Sequence, residues 1–309
     1  MSHSVTTAVV VPTFNRRTTL LSALKSLFDV LPAHHCVIVV DSGSSDGTRE
    51  AVRKHFPQVV LLEGTSSMWW AAATNLGVVK ARELGCSQVL AYNDDNIATA
   101  RLFDALAEGT RVFPNSIVAA VCCYLDRPNT VFFAGRKRAK KSDRFFYLDH
   151  NEPLPVLGKG LREVDLLHGM CTLFPMAVFD AVGLFDEKAF PALFADDDLS
   201  LRAVKAGYHL HVALEAVVLN DREKTGLNPY DRRLGPLGVA RLLLSRRSVF
   251  QLTRKTRFLW RHRRSFWYFC KTWIYDYMRM FALVIARWLI SPGMLVWLGK
   301  KWMRRLTRS

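Results

Sequence analysis

Three groups of carboxylates sit where short apolar runs give out, and their types and spacing set the chemistry open to this chain. Asn93-Asp94-Asp95-Asn96 follows the run Val89-Leu90-Ala91-Tyr92. Adjacent carboxylates at a strand end are too costly to bury unpaired, so they are either solvated or holding a cation. Asp41 closes a second run, Val37-Ile38-Val39-Val40, and opens the turn-rich stretch Ser42-Gly43-Ser44-Ser45-Asp46-Gly47-Thr48. A carboxylate there can accept a hydrogen bond from a protonated ring nitrogen of a nucleobase. The third group is Asp196-Asp197-Asp198, ahead of Leu199-Ser200-Leu201-Arg202. One acid suffices to stabilise a first helical turn, and Asp198 suits that role. Asp196 is then free to act as a general base on an acceptor hydroxyl. The chain has no P-loop and no GxGxxG. A divalent cation on Asp95, with Asp94 beside it, is the remaining way to neutralise a pyrophosphate.

Such groups need a frame that gathers strand ends. Residues 8–11, 37–40, 59–62 and 88–92 read as short buried strands. Between them, residues 17–30, 46–55 and 71–84 carry helical periodicity, the second capped by Ser45 or Asp46 and the third closed by Gly85. Alternating strands and helices predict βαβ units and a mostly parallel sheet, with ligands at its carboxyl edge. After residue 100 the pattern loosens. Residues 116–124, 129–134, 166–173 and 209–219 are strand candidates, 177–182 and 199–206 helical ones, and the basic run 136–141 reads as a solvated loop. Gly226, Pro229, Gly235, Pro236 and Gly238 mark a boundary, dividing the chain into a domain over 1–235 and a helical region over 236–309.

The charge is as uneven as the pattern. Residues 241–309 hold 17 Lys/Arg against one acid, Asp276, so the whole formal charge of +16 sits there and residues 1–240 are balanced. A basic tail seeks an anionic surface, either membrane headgroups or nucleic acid. Residues 266–290 are helix-permissive. On a helical projection Arg264, Lys271, Asp276, Arg279 and Arg287 fall to one side, opposite Trp267, Trp273, Ile274, Phe281, Ile285 and Leu289. Charges interrupt every window long enough to span a bilayer, so the expectation is a helix lying in the interface, followed by a second basic-aromatic piece at 297–305. The six cysteines show no CxxC and no metal-ligand spacing, which favours buried thiols in a reducing compartment. With no basic n-region and cleavage site at the start, the expected location is the cytoplasmic side of a membrane, peripherally attached.

Taken in order, residues 9–16 (VVVPTFNR), 39–48 (VVDSGSSDGT), 69–77 (WWAAATNLG), 90–96 (LAYNDDN), 183–187 (GLFDE) and 194–208 (FADDDLSLRAVKAGY) resemble family-two glycosyltransferases of the GT-A fold, near the rhamnosyltransferase-like branch. The resemblance implies a Rossmann-like α/β domain that transfers a sugar from a UDP- or dTDP-linked donor, with inversion, to a glycan or lipid-linked glycan in cell-surface polysaccharide synthesis. It also implies Mg²⁺ or Mn²⁺ as cofactor. By position, Asp41 matches the nucleobase-binding aspartate, and Pro12, Thr13 and Asn15 line base and ribose. Asn93-Asp94-Asp95 occupies the DxD position, with Asn93 for the first Asp, Asp94 toward the donor and Asp95 as metal ligand. Asp196 matches the catalytic base, with Ala195 in place of the preceding Glu. Asn75 and Arg202 fall on the donor side, Trp69-Trp70 either lines that pocket or starts a buried helix, and His168 and Asp197 fall toward the acceptor. Asn220-Asp221 stands where the family often has a histidine.

Three other readings stay open at this level. One is an enzyme that transfers the sugar directly to polyprenyl phosphate. Another is a catalytically silent glycan- or membrane-binding scaffold. The third is a nucleic-acid binder, which the long apolar arc of the tail argues against.

Overall fold

The computed structural model describes residues 6–221 and 234–289. Gly226 and Pro229 of the expected boundary, and the basic-aromatic piece 297–305, lie outside the described residues. The chain divides into two compact units, Met1–Ala139 with Phe145–Lys224, and Lys140–Arg144 with Thr225–Ser309.

The first unit begins β1 (Thr7–Thr13), α1 (Arg17–Phe28), β2 (Cys36–Asp41), α2 (Thr48–His55), β3 (Val60–Glu63), α3 (Trp70–Glu83) and β4 (Gln88–Tyr92). The alternation expected from sequence is present. Every residue of β1 is buried, as suits a parallel strand covered on both faces. It then runs through β5 (Asn96–Ala98), α4 (Leu102–Val112), β6 (Ser116–Tyr124), β7 (Val131–Phe133), β8 (Arg136–Arg138), β9 (Phe145–Tyr147), β10 (Leu161–Glu163), β11 (Cys171–Pro175), α5 (Met176–Val182), α6 (Ala195–Lys205) and β12 (His209–Asn220). The main sheet is ordered β10-β12-β6-β11-β4-β1-β2-β3. It is mostly parallel, with β11 inserted antiparallel between β4 and β6. This is the mixed α/β architecture of the GT-A expectation.

Antiparallel pairing also joins β10 and β5 to β12 and β7 to β6, but the reversal at β11 is the one that matters for the site. Thr13, Asp41, Asn93–Asn96 and Asn220 all fall at the carboxyl edge of the parallel strands. Because β11 runs the other way, with Cys171 paired to Tyr92, its amino end brings residues 168–170 to the same edge. Gly77 lets α3 settle on β1, since a Cβ there would lie 2.3 Å from Val10 Cγ1.

Three expectations need correcting. The strand expected over 166–173 starts only at Cys171, because residues 168–170 turn into the site. The basic run 136–141 is not wholly loop, as Arg136–Arg138 pairs with Phe145–Tyr147 as a two-stranded ribbon. The last helix of this unit starts at Ala195 rather than Leu199, so Asp196 lies within its first turn, and Phe194 at its N-cap takes a left-handed φ of 72°. Asp198 also lies in the first turn; fully buried, it accepts from Arg202 Nε at 2.8 Å.

The second unit carries α7 (Pro236–Leu244), α8 (Leu252–Arg261) and α9 (Phe266–Leu289). Its small core is Leu242, Tyr277, Met280 and Val284, with Leu243 and Trp273 packed alongside. Here the sequence projection is overturned at two charged residues: Arg287 is buried and Asp276 is turned inward to Lys255, Nζ to Oδ2 at 2.8 Å. Of the apolar side, Trp267, Ile274, Phe281, Ile285 and Leu289 are exposed. No helix among the described residues is long and apolar enough to cross a membrane. All six cysteines are free thiols, four of them buried.

Candidate active site

Two acidic corners stand at the carboxyl edge of the sheet. At the first, Asp94 and Asp95 leave β4 almost fully buried. One cation serves both: Arg16 Nη1 lies 2.9 Å from Asp94 Oδ1 and 3.0 Å from Asp95 Oδ2. Thr13 Oγ1 donates to Asp94 Oδ2 at 2.8 Å, and Asn220 Nδ2 donates to Asp95 Oδ1 at 2.8 Å. A single guanidinium cannot balance two buried carboxylates. Burial first, and then the neighbouring Asp95, pushes the Asp94 carboxyl up to about 6 against the pull of Arg16 and Thr13. Hard oxygen donors carrying surplus negative charge fit Mg²⁺ or Mn²⁺, on the same oxygens that Arg16 now holds.

Asp41 sits at the end of β2 as expected, but it is fully buried and Arg49 Nε lies 2.6 Å from Oδ2, with the Ser44 N–H donating at 3.2 Å. Asn15, at φ 52°, latches the two neighbouring loops. Its Oδ1 accepts from Ser45 N–H at 2.8 Å and its own N–H donates to Ser44 Oγ at 2.8 Å. Asp46 accepts from Arg17 N–H at 2.9 Å and also from Thr48 N–H and Oγ1, but the N-cap of α2 is Gly47, at a left-handed φ of 78°, rather than the expected Ser45 or Asp46. Pro12 is buried within β1.

At the second corner, Asp196 Oδ2 accepts from Gly169 N–H at 2.7 Å and lies 3.4 Å from His168 Nδ1. Oδ1 accepts from Asp197 N–H at 3.0 Å. Burial acts to raise the Asp196 carboxyl, but the His168 contact, Gly169 N–H and Arg136 outweigh it and hold it below the ordinary carboxylate range. Asp197, ion-paired to Arg136, is displaced upward, by burial first and by Asp196 next. His168 Nε2 meets Tyr147 Oη at 3.2 Å. Gly169 is glycine for lack of room, as a Cβ would lie 2.6 Å from the Trp70 ring and 3.2 Å from Asp196 Cβ. Trp70 links the corners, since the same indole donates to Asn93 Oδ1 at 3.0 Å. His168, Asp196 and Asp197 also offer ligand atoms within 4.8 Å of one another, a second possible seat for a cation.

Two residues expected at the donor are used elsewhere. Asn75 spends its amide on Phe185 O at 2.9 Å, Glu187 Oε2 at 2.8 Å and Phe185 N–H at 3.0 Å, bracing residues 185–187. Arg202 bonds Asp198 together with the carbonyls of Val182 and Leu184, a fork filled by its own fold. Four residues of the site escaped the sequence: Arg16, Arg49, Arg136 and Tyr147. The signal for the arginines was the requirement that buried acids be paired.

The family pattern of glycosyl transferase family 2 matches residues 8–170, just over half the chain. The chain belongs to glycosyl transferase family 2. An uncharacterised glycosyltransferase from Rickettsia bellii is 25% identical over 190 residues, which span 58% of this chain and only 25% of that protein. Among solved structures, GalNAc-T7 with UDP, GalNAc and Mn²⁺ superposes with a TM-score of 0.59 at 13% identity, covering 90% of this chain and 58% of that one. The mannosyltransferase PcManGT from Pyrobaculum calidifontis, in complex with GDP-Man and Mn²⁺, gives 0.55 at 17% identity, covering 96% and 79%. At such identities the structural likeness speaks for the fold, and this family-2 chain shares it.

Proposed function

We propose that this family-2 protein is an inverting glycosyltransferase that moves a hexosyl or deoxyhexosyl group from a nucleoside-diphosphate sugar to a hydroxyl of a glycan or lipid-linked glycan. The observation that carries the reading is the pairing of two unlike acidic corners on one sheet edge. One has surplus negative charge, suited to a cation and a diphosphate. The other has a carboxylate held ionised and partly open to solvent. GDP-Man accompanies one of the solved neighbours described above, UDP with GalNAc the other, and Mn²⁺ both, which supports the same donor class.

Asp196 accepts the proton of the acceptor hydroxyl as that oxygen bonds to the anomeric carbon. The bond from that carbon to the diphosphate breaks on the opposite face, and its electron pair leaves with the phosphate oxygen, so the configuration inverts. A carboxylate below its usual range is a weak base, so the proton moves late, as the new bond makes the hydroxyl acidic. Gly169 N–H and His168 fix which oxygen of Asp196 is committed and hold the group in place. A bound divalent cation would supply neutralisation of the leaving diphosphate, and Asp95 with Asp94 would hold it. The alternative seat on His168, Asp196 and Asp197 would neutralise the very group needed as base, which favours the first corner.

The test is a screen of nucleotide sugars with Mn²⁺ by thermal shift, followed by turnover assays of those that stabilise the protein. Stabilisation by a UDP- or dTDP-sugar and release of the nucleotide in the presence of a hydroxyl acceptor are expected. Retention of anomeric configuration in the product would overturn the mechanism. A product with the sugar on polyprenyl phosphate would overturn the acceptor class.

A further inference from the structure

The second unit carries an exposed apolar surface that includes none of the residues of the two acidic corners. On α9, Trp267, Ile274, Met278, Phe281, Ile285 and Leu289 are all exposed, Leu289 by 79% and Trp267 by 72%. At about 100° per residue they fall within about 80° of arc, a stripe along one side of the helix. The adjoining side is already occupied, with Tyr277, Met280 and Val284 packed around Leu242 of α7. The stripe is therefore surplus to folding. Beside it runs a groove of about 300 Å³ whose walls include Leu243, Leu252, Trp273, Ile274, Met278 and Phe281.

Charge decides what such a face would meet. Arg246, Arg247, Arg257, Arg261, Arg263, Lys271 and Arg279 are exposed in this unit. Asp276, the one acid of residues 241–309, is 16% exposed and held by Lys255, with Arg144 Nε 3.5 Å from its other oxygen. The described surface of residues 241–289 thus offers water and partners cations and apolar side chains, with its single carboxylate neutralised from inside. Trp260, with Arg263 stacked on its ring at 3.7 Å, and Trp288 add exposed indoles. Nucleic acid would be met by cations and stacking rings, but it has no use for Ile274, Met278, Ile285 and Leu289 in line, or for a groove of apolar side chains. A second copy of this chain would bring the same positive charge against itself.

We propose that α9 docks in the interfacial layer of an anionic phospholipid bilayer, lying along it rather than crossing it. The stripe enters the acyl boundary, the adjoining groove takes acyl-chain carbons, and the flanking arginines and Lys271 contact headgroup phosphates. This inference stands independently of the transferase reading.

The full chain should float with vesicles of phosphatidylcholine containing about one third phosphatidylglycerol, and bind pure phosphatidylcholine about tenfold more weakly. Brominated acyl chains should quench its tryptophan fluorescence, a readout that needs no variant. Ile274→Glu combined with Ile285→Glu changes only exposed positions; it should lower vesicle binding about tenfold or more with an unchanged unfolding midpoint. Absence of quenching by brominated chains would overturn the proposal even if the protein floated, because headgroup attraction alone would explain flotation. Unchanged flotation of a folded double variant would overturn it too. So would a dimer in sedimentation that the double variant dissociates while vesicles bind neither form, since the stripe would then be an interface between copies. Tighter binding to duplex DNA than to the vesicles, lost in the same variant, would assign the face to nucleic acid instead.

Discussion

The corner at Asp94-Asp95 and the corner at Asp196-Asp197 are built from the same dipeptide and behave as opposites. In the first, both carboxylates are almost fully buried and share Arg16, so charge is left over and Asp94 is driven up to about 6. In the second, the helix start divides the labour. Asp197 faces Arg136 inside the protein, while Asp196 faces Gly169 N–H and His168 at the rim and stays below its usual range. Both pairs have an adjacent acid; what separates them is the burial and the donors that the fold brings to each carboxylate.

The comparison breaks most visibly under crossed substitution. Asp196→Asn should lower kcat about 100-fold or more and leave Mn²⁺-dependent donor binding intact. Asp95→Asn should weaken that binding about 10-fold or more, as read by titration of the nucleotide sugar with and without Mn²⁺. If Asp196→Asn abolishes metal dependence and Asp95→Asn does not, the cation belongs with His168, Asp196 and Asp197, and the corners exchange roles.

A smaller and oppositely signed effect is expected at Arg16. Its guanidinium holds the oxygens a cation would use, so Arg16→Gln should raise Mn²⁺ affinity several-fold by quench titration in the absence of donor, whereas a purely structural arginine would give no gain. The smallest effect is on stability. A carboxyl whose folded value is about 6, above its ordinary 3.8, contributes stability that is present below about pH 4 and lost as pH rises through about 6. Asp94→Asn should therefore unfold at a slightly higher temperature than the unsubstituted protein near pH 7.5, and the gap should close by about pH 4. Asp196, held low, has the opposite sign: its contribution is in place above the ordinary carboxylate range and lost as pH falls below it. Asp196→Asn should show its stability deficit at neutral pH and lose it only in acid.

Legibility followed the range of the interactions. The helices over 17–28, 48–55 and 70–83 were visible within a residue or two at most ends because periodicity and turn residues are local signals. The chain ran against expectation where contacts cross the sheet. Asn75 was expected to touch a ligand and instead braces Phe185, 110 residues away. On α9 the sequence projection separated charged from apolar residues correctly as a pattern, but it could not tell which apolar side chains α7 would cover. The outcome left Trp267 and Ile274 outside and drew Asp276 in.

By itself, then, the sequence determined that short buried strands alternate with helices, that acids end the strands, and that the net positive charge lies in the last quarter of the chain. These follow from patterning along the chain, where neighbours are known. The tertiary structure alone decided that Arg16 answers Asp94 across 78 residues and Arg136 answers Asp197 across 61. Sequence can require that a buried carboxylate be paired, because the cost of leaving it alone is large. Which cation comes depends on where the folded backbone delivers it. Here the end of β1 delivers Arg16 and β8 delivers Arg136, while the reversed strand β11 and the early start of α6 set Gly169 N–H against Asp196, so the two acidic corners end up with different partners.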